Sequence, residues 1–142
     1  MIRVLVVDDS PTAREAICAI LKSAPEIQII GEATDGMQGV EMAAELKPDV
    51  ITMDINMPRM NGFDATKQIM TTMPTPVVVV TSLNQKEMIH EGLDVLLAGA
   101  LEIVQKPSSL SDTSFDLVRS ELIAKVMAVS QIKFPRTNSQ VA

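Results

Sequence analysis

The sequence predicts an α/β fold: a (βα)5 doubly wound parallel sheet of five strands with helices on both faces. Three observations lead there. Five short apolar runs recur along the 142 residues, with stretches of helical period between them. The first of them, Ile2 to Val7, is almost continuously apolar, and strands alternating with helices in this way call for a mainly parallel sheet covered on both faces. Several end abruptly at charged or hydroxyl residues.

Ile2 to Val7 is the first strand, ending at Asp8-Asp9-Ser10-Pro11. Ala13, Ala16, Ile17, Ile20, Leu21 and Ala24 then repeat at helical spacing, with Ser10 as cap, Pro11 in the first turn and Pro25 closing the helix. Ile27 to Ala33 is the second strand and Asp35-Gly36 a turn. Met37, Val40, Glu41 and Ala44 stripe a second helix, stopped near Lys47-Pro48. Asp49 to Met53 is the third strand, terminated by Asp54, and Asn56 to Gly62 is a loop. Phe63, Thr66, Ile69 and Met70 start a third helix that ends before Pro74 and Pro76. Val77 to Val80 is the fourth strand, followed by Thr81-Ser82 and a helical stretch from roughly Gln85, broken near Gly92 or Gly99. Ala100 to Gln105 is the fifth strand, ending at Lys106-Pro107, and Phe115, Val118, Leu122, Val126 and Val129 mark a final helix. Residues 1–127 are expected to form the domain, with 128–142 a tail or the start of an interdomain linker.

Composition excludes several functions. Hydrophobic residues make up 46% and charged residues 21%, the balance of a folded soluble chain. Three Phe, no Tyr and no Trp leave the core to Val, Ile, Leu, Met and Ala, and offer no stacking platform for nucleic acid. A net charge of −6 without a basic stripe argues against duplex binding too. Cys18 is the only cysteine and reads as a buried, inert thiol. Met1-Ile2-Arg3 runs straight into a strand, without the pattern of a secretion signal, and no apolar run approaches the roughly 20 residues that span a bilayer. The cytoplasm is the expected location, without membrane insertion. His90, the single histidine, reads as a surface residue and makes neither a zinc cluster nor a Ser-His-Asp triad. Gly31 and Gly36 do not form a dinucleotide fingerprint.

In an open α/β sheet, ligands bind beyond the carboxyl ends of the strands. Here the first strand ends at Asp8 and Asp9, the third at Asp54, the fourth at Thr81-Ser82 and the fifth at Lys106. Taken singly, each has a bland reading: a helix cap, a turn residue, a solvated lysine. Together they deliver three carboxylates, a hydroxyl and an ammonium to one rim. Crowded carboxylates resist joint ionisation unless a hard divalent cation offsets them, and an all-oxygen set suits Mg²⁺. A carboxylate-held metal beside an acceptor oxygen is the arrangement for phosphoryl transfer, with Asp54 as nucleophile and Lys106 and Thr81 holding phosphoryl oxygens. An acid-phosphatase-like hydrolase would need a general acid two residues after Asp54, where Asn56 stands.

These residues resemble a known family. Val-Val-Asp8-Asp9-Ser, Met-Asp54-Ile-Asn-Met-Pro58-Arg-Met-Asn-Gly62, Thr81-Ser82 and Lys106-Pro107 follow the order of the receiver domain of two-component response regulators, a flavodoxin-like fold. Gly31-Glu-Ala-Thr-Asp-Gly36, Lys47-Pro-Asp-Val-Ile-Thr-Met-Asp54, Pro76-Val-Val-Val-Val-Thr-Ser-Leu83 and Gly99-Ala-Leu-Glu-Ile-Val-Gln-Lys-Pro107 resemble most the receiver of chemotaxis protein-glutamate methylesterases.

The resemblance implies a phosphoacceptor Asp54 charged by a histidine kinase. It implies Mg²⁺ held by the side chains of Asp9 and Asp54, by the Asn56 carbonyl, and by Asp8 largely through water. Thr81 and Lys106 would bind the phosphoryl group, and the Lys106-Pro107 bond would be cis. An effector domain or downstream protein would be switched through the face made by strand 4, strand 5 and the helix after each. Such a receiver promotes only its own phosphorylation and dephosphorylation, and no methylesterase domain lies within these residues. A stand-alone single-domain regulator and a phosphorylation-independent binding module are the alternative readings. The sequence departs from the family at three places. Asn61 stands where Asp is usual, Ile103 replaces a common aromatic residue, and Asn56 replaces an acidic one.

Overall fold

Three nearly continuous apolar runs buried on both faces form the middle of one parallel sheet, and two partly exposed runs complete its edges. The strands are β1 (Ile2–Val7), β2 (Ile27–Ala33), β3 (Val50–Met53), β4 (Val77–Thr81) and β5 (Glu102–Gln105). Their order across the sheet is β2-β1-β3-β4-β5, and every pair is parallel. The helices are α1 (Pro11–Lys22), α2 (Gly36–Leu46), α3 (Gly62–Thr72) and α4 (Thr113–Val129). The computed structural model describes residues 1–82, 96, 98–106 and 113–134. The helical stretch expected from Gln85, with His90 in it, the Lys106-Pro107 bond and residues 135–142 lie outside the described residues.

Side chains alternate across the sheet and divide the interior into two layers. Val4, Val6, Val50, Val78, Val80 and Val104 face α1 and α4, meeting Ile17, Ile20, Leu21, Leu122, Val126 and Val129. Leu5, Val7, Ile51, Met53, Val77 and Val79 face the opposite side with Ala43, Ala65 and Ile69. The strand pair β1–β2 carries a register shift between Val4 and Leu5, so that Ile29 pairs with Val4 but Gly31 with Leu5.

The helix starts follow local chemistry. The Ser10 hydroxyl accepts from the Ala13 amide, and Asn61 caps α3 by accepting from Asp64 at 2.8 Å. Asn61 therefore does the work of a cap without a carboxylate's charge. Three expectations need correction. Asp35-Gly36 is not a free turn: Asp35 is the N-cap of α2 and Gly36 its first residue. The buried stripe of α2 is Gly36, Gly39 and Ala43, with Ala44 exposed. A Cβ on Gly39 would sit 3.0 Å from Val7, so small residues let this helix ride close to β1. Thr81 is the last residue of β4 rather than the step after it. The final helix runs to Val129, which is buried.

A candidate acidic and phosphoryl site at the sheet rim

The strand order reverses between β1 and β3, which places the ligand crevice of an open sheet at their carboxyl ends. Backbone pairing fixes what stands there. The Asp54 amide donates to the Val7 carbonyl at 3.0 Å, so Asp8 and Asp54 leave adjacent strands at one level. The Asp8 amide donates to the Ala33 carbonyl at 3.0 Å. The Lys106 amide donates to the Thr81 carbonyl at 2.7 Å, carrying the ladder of β4 and β5 to the same rim.

The side chains converge accordingly. One oxygen each from Asp8, Asp9 and Asp54 lie within 4.8 Å of one another. Lys106 Nζ stands 2.9 Å from Asp8 Oδ2 and 3.4 Å from Asp54 Oδ2. Asp8 is sealed from solvent, Asp54 is 6% exposed, and Asp9 is open to water. Asp8 Oδ1 accepts from the Ser10 amide at 2.9 Å, and Asp54 Oδ1 from the Ile55 amide at 2.9 Å. Asp8 Oδ2 has no hydrogen bond of good geometry, only the charge of Lys106 beside it. Thr81 is buried at the end of β4. Asn56 is exposed in the β3–α3 loop, two residues beyond Asp54. The fold thus brings Asp8, Asp9, Asp54 and Lys106 into direct proximity and Thr81 to the same edge.

The residues fit a small hard cation. Three carboxylates gathered beside one ammonium, one of them with a sealed oxygen that meets only that ammonium among the described residues, leave the rim short of positive charge. Ligands of an octahedral Mg²⁺ lie about 2.9–4.2 Å apart, a spacing this cluster reaches with small side-chain movements.

Electrostatics show the same shortage. Burial, and then the Asp8 carboxylate, push Asp54 from 3.8 up to about 6, with Lys106 pulling the other way. In metal-free protein, folding therefore favours protonated Asp54. That contribution is complete below about pH 4 and disappears as pH rises through about 6, on the order of 3 kcal/mol. Thermal melts in chelator should show Asp54→Asn gaining on the wild type between pH 4 and 7. A constant difference would mean that Asp54 does not titrate in this range.

Several contributors escaped the sequence reading. Gly62 carries no side chain because a Cβ there would lie 1.9 Å from the Asp54 carbonyl oxygen, and its amide donates to Ile55 at 2.7 Å. Gly36 likewise faces the Met60 carbonyl, which a Cβ would approach to 2.0 Å. Arg14 donates to the Asp8 carbonyl at 2.8 Å and lies 3.3 Å from Glu32. Arg59 grips Asp35 across 24 residues of sequence. The spacing of Asp35-Gly36 and Asn61-Gly62 was the available signal for the glycines; no periodicity announces the arginine contacts. Cys18 is buried, and burial followed by Glu32 pushes its thiol up to about 11, so it is unreactive. No helix among the described residues is long and apolar enough to cross a membrane.

Comparison with known proteins agrees with this geometry. The response regulator receiver domain model matches residues 4–114. The chain is 43% identical over 135 residues to protein-glutamate methylesterase/protein-glutamine glutaminase 4 of Myxococcus xanthus, covering 95% of this chain and 38% of that protein. It is 40% identical over 131 residues to the corresponding protein of Pyrococcus abyssi, covering 92% of this chain and 35% of that one. The crystal structure of the response regulator domain of Thermotoga maritima CheB superposes with a TM-score of 0.84 at 41% identity, over 94% of this chain and 99% of that one. A chain of the CheX-CheY-BeF3-Mg²⁺ complex from Borrelia burgdorferi gives 0.74 at 27% identity, over 93% and 90%. The chain spans about two fifths of the length of the curated relatives it matches. With a receiver's sheet order, an acidic pair after β1, an aspartate after β3 and a lysine after β5, this chain belongs to the response regulator receiver domain family and is related to the CheB chemotaxis proteins.

Proposed function

We propose that this receiver accepts a phosphoryl group on Asp54 from the phosphohistidine of a histidine kinase, with Mg²⁺ bound at the rim. The observation that carries the reading is the trio Asp8, Asp9 and Asp54 gathered within 4.8 Å of one another, with the Lys106 ammonium against Asp8 and Asp54. An Asp54 carboxylate oxygen attacks phosphorus as the P–N bond to the kinase imidazole breaks, and the imidazole nitrogen keeps the bonding pair. The product is an acyl phosphate. Lys106, 3.4 Å from Asp54, neutralises charge on the transferred oxygens, and Thr81 donates its hydroxyl to one of them. Asp9 and Asp54 by side chain, the Asn56 carbonyl, and Asp8 largely through water would hold the cation, which supplies charge neutralisation between nucleophile and phosphoryl oxygens. Magnesium and BeF3 are named for the Borrelia complex, a relative of the same fold.

The switched partner is an effector domain or downstream protein docking on the face of β4, β5 and the helices after them, in a chemotaxis pathway in the cytoplasm. Recruitment of Thr81 and Lys106 toward the new charge would repack that face. The receiver unit is proposed to span residues 1–127, with 128–142 as tail or linker; α4 runs two residues past that mark. Methylesterase activity is proposed only for a longer protein that carries the corresponding domain.

Intact-protein mass after incubation with a small phosphodonor tests the assignment. A Mg²⁺-dependent phosphoryl adduct should form on the wild type and be absent from Asp54→Asn. An adduct of equal yield on the variant would overturn Asp54 as acceptor.

A further inference from the structure

The β3–α3 loop is held by a contact from outside itself. The Met60 amide donates to the Pro58 carbonyl at 2.7 Å, closing a three-residue turn centred on Arg59. Arg59 has a φ of +65°, which side chains other than glycine and asparagine seldom adopt, and a γ-turn of that hand is rare and strained. Nothing in the turn itself favours that shape. Its side chain does have an anchor: Arg59 Nε donates to Asp35 Oδ2 at 3.0 Å and Nη2 to Asp35 Oδ1 at 3.1 Å, a two-point grip. Asp35 is almost fully buried and is itself fixed, because its Oδ1 also accepts from the Gln38 amide as the cap of α2. Beside the grip, the backbone of Met60 lies against Gly36, where a Cβ would meet the carbonyl at 2.0 Å. The loop is therefore clasped to the start of α2 by a charged fork and a bare glycine.

We propose that the Arg59–Asp35 fork is a positioning pair that holds the loop after Asp54 in its metal-ready shape, so that the Asn56 carbonyl is presented to the rim before a cation arrives. This deepens the reading of the site given above and rests on it. Arg59 spends its guanidinium on Asp35 and not on Asp54 or Lys106; its action runs through backbone, from Arg59 back through Pro58 and Met57 to Asn56. An ion pair whose arginine is 59% exposed adds little to global stability, so its effect belongs in the loop rather than in the melting temperature. Loss of a contact that orients a metal ligand costs ten- to a hundredfold in affinity in metal sites of known design.

The test uses Asp35→Asn, which keeps a side-chain oxygen to cap α2 while removing the charge, and Arg59→Lys, which keeps the charge while removing the fork. Mg²⁺ affinity is measured by calorimetry, and amide exchange of the loop is measured in metal-free protein. Each variant should bind Mg²⁺ about tenfold more weakly and exchange the Met60 amide at least tenfold faster, with phosphorylation at saturating Mg²⁺ within twofold of wild type. The double variant should be no worse than the single ones, since both remove one interaction. Unchanged Mg²⁺ affinity and unchanged loop exchange in both variants would overturn the proposal, as would a lowered melting temperature with affinity intact. A wild type that binds no Mg²⁺ would instead remove the reading of the site, and the positioning role with it.

Discussion

Lys106→Met is expected to lower the stability of the metal-free protein by about 3–5 kcal/mol at pH 8, the usual cost of leaving a buried charge without its partner. Lys106 Nζ is the cation 2.9 Å from Asp8 Oδ2, an oxygen with no hydrogen bond, and 3.4 Å from Asp54. Methionine keeps most of the length of the stem and removes only the charge. Asp54 can escape by taking up a proton, which sets the sign of the pH dependence. Lys106 pulls Asp54 down; without it, Asp54 rises further above its ordinary 3.8, and the folded state binds its proton to higher pH. The deficit should therefore shrink on acidification from pH 8 to pH 5. Added Mg²⁺ should recover much of it at pH 8 by supplying the missing positive charge. Thermal melts at both pH values, with chelator and with Mg²⁺, decide the matter. A loss independent of pH and of Mg²⁺ would show that Lys106 acts through packing.

Gly62→Ala should be nearly as damaging, and at a position with no charge. The added methyl would lie 1.9 Å from the Asp54 carbonyl oxygen and 2.9 Å from the Ile55 Cα. Both obstacles are backbone, so no rotamer change relieves the overlap, and β3 or the start of α3 must move. The cost should reach about 3 kcal/mol, the upper end for overpacking, and lower the melting temperature by roughly 10 °C. Because the displaced carbonyl belongs to Asp54, adduct formation should fall with it. Gly31→Ala is the control. Its methyl would meet the ends of Met42 and Leu46 at 2.7 and 2.9 Å, and flexible side chains can swing aside. A Gly62→Ala protein that melts within about 2 °C of wild type would refute the close approach.

The strands and the rim were legible in the sequence because both depend on local order. Val-Ile runs declare strands, and residues that end parallel strands share one edge whatever the details of packing, so Asp8, Asp54 and Lys106 could be gathered on paper. Ser10-Pro11 announced the start of α1 for the same local reason. The stripe of α2 was misread because its inward face is made of glycine and alanine, which periodicity of large apolar residues passes over. Arg59 and Asp35 lie 24 residues apart in two loops, and no pattern in the chain pairs them. Nor does sequence show that Gly36 and Gly62 are pressed against backbone carbonyls. Such contacts arise only once the sheet has set the distance between its loops.

The register shift in β2 has a consequence for how the molecule comes apart. Ile27 and Ile29 point into the layer beneath α1 and α4, but after the extra residue, Ile30, the alternation is reversed and Ala33 points into the layer beneath α2 and α3. One edge strand thus runs like a stitch through both cores. Peeling it away uncovers Ile27 and Ile29 on one face of the sheet and Ala33 on the other. What looks like an irregularity at the border of the sheet turns the far end of the strand over, so that its last buried side chain lines a different compartment from its first.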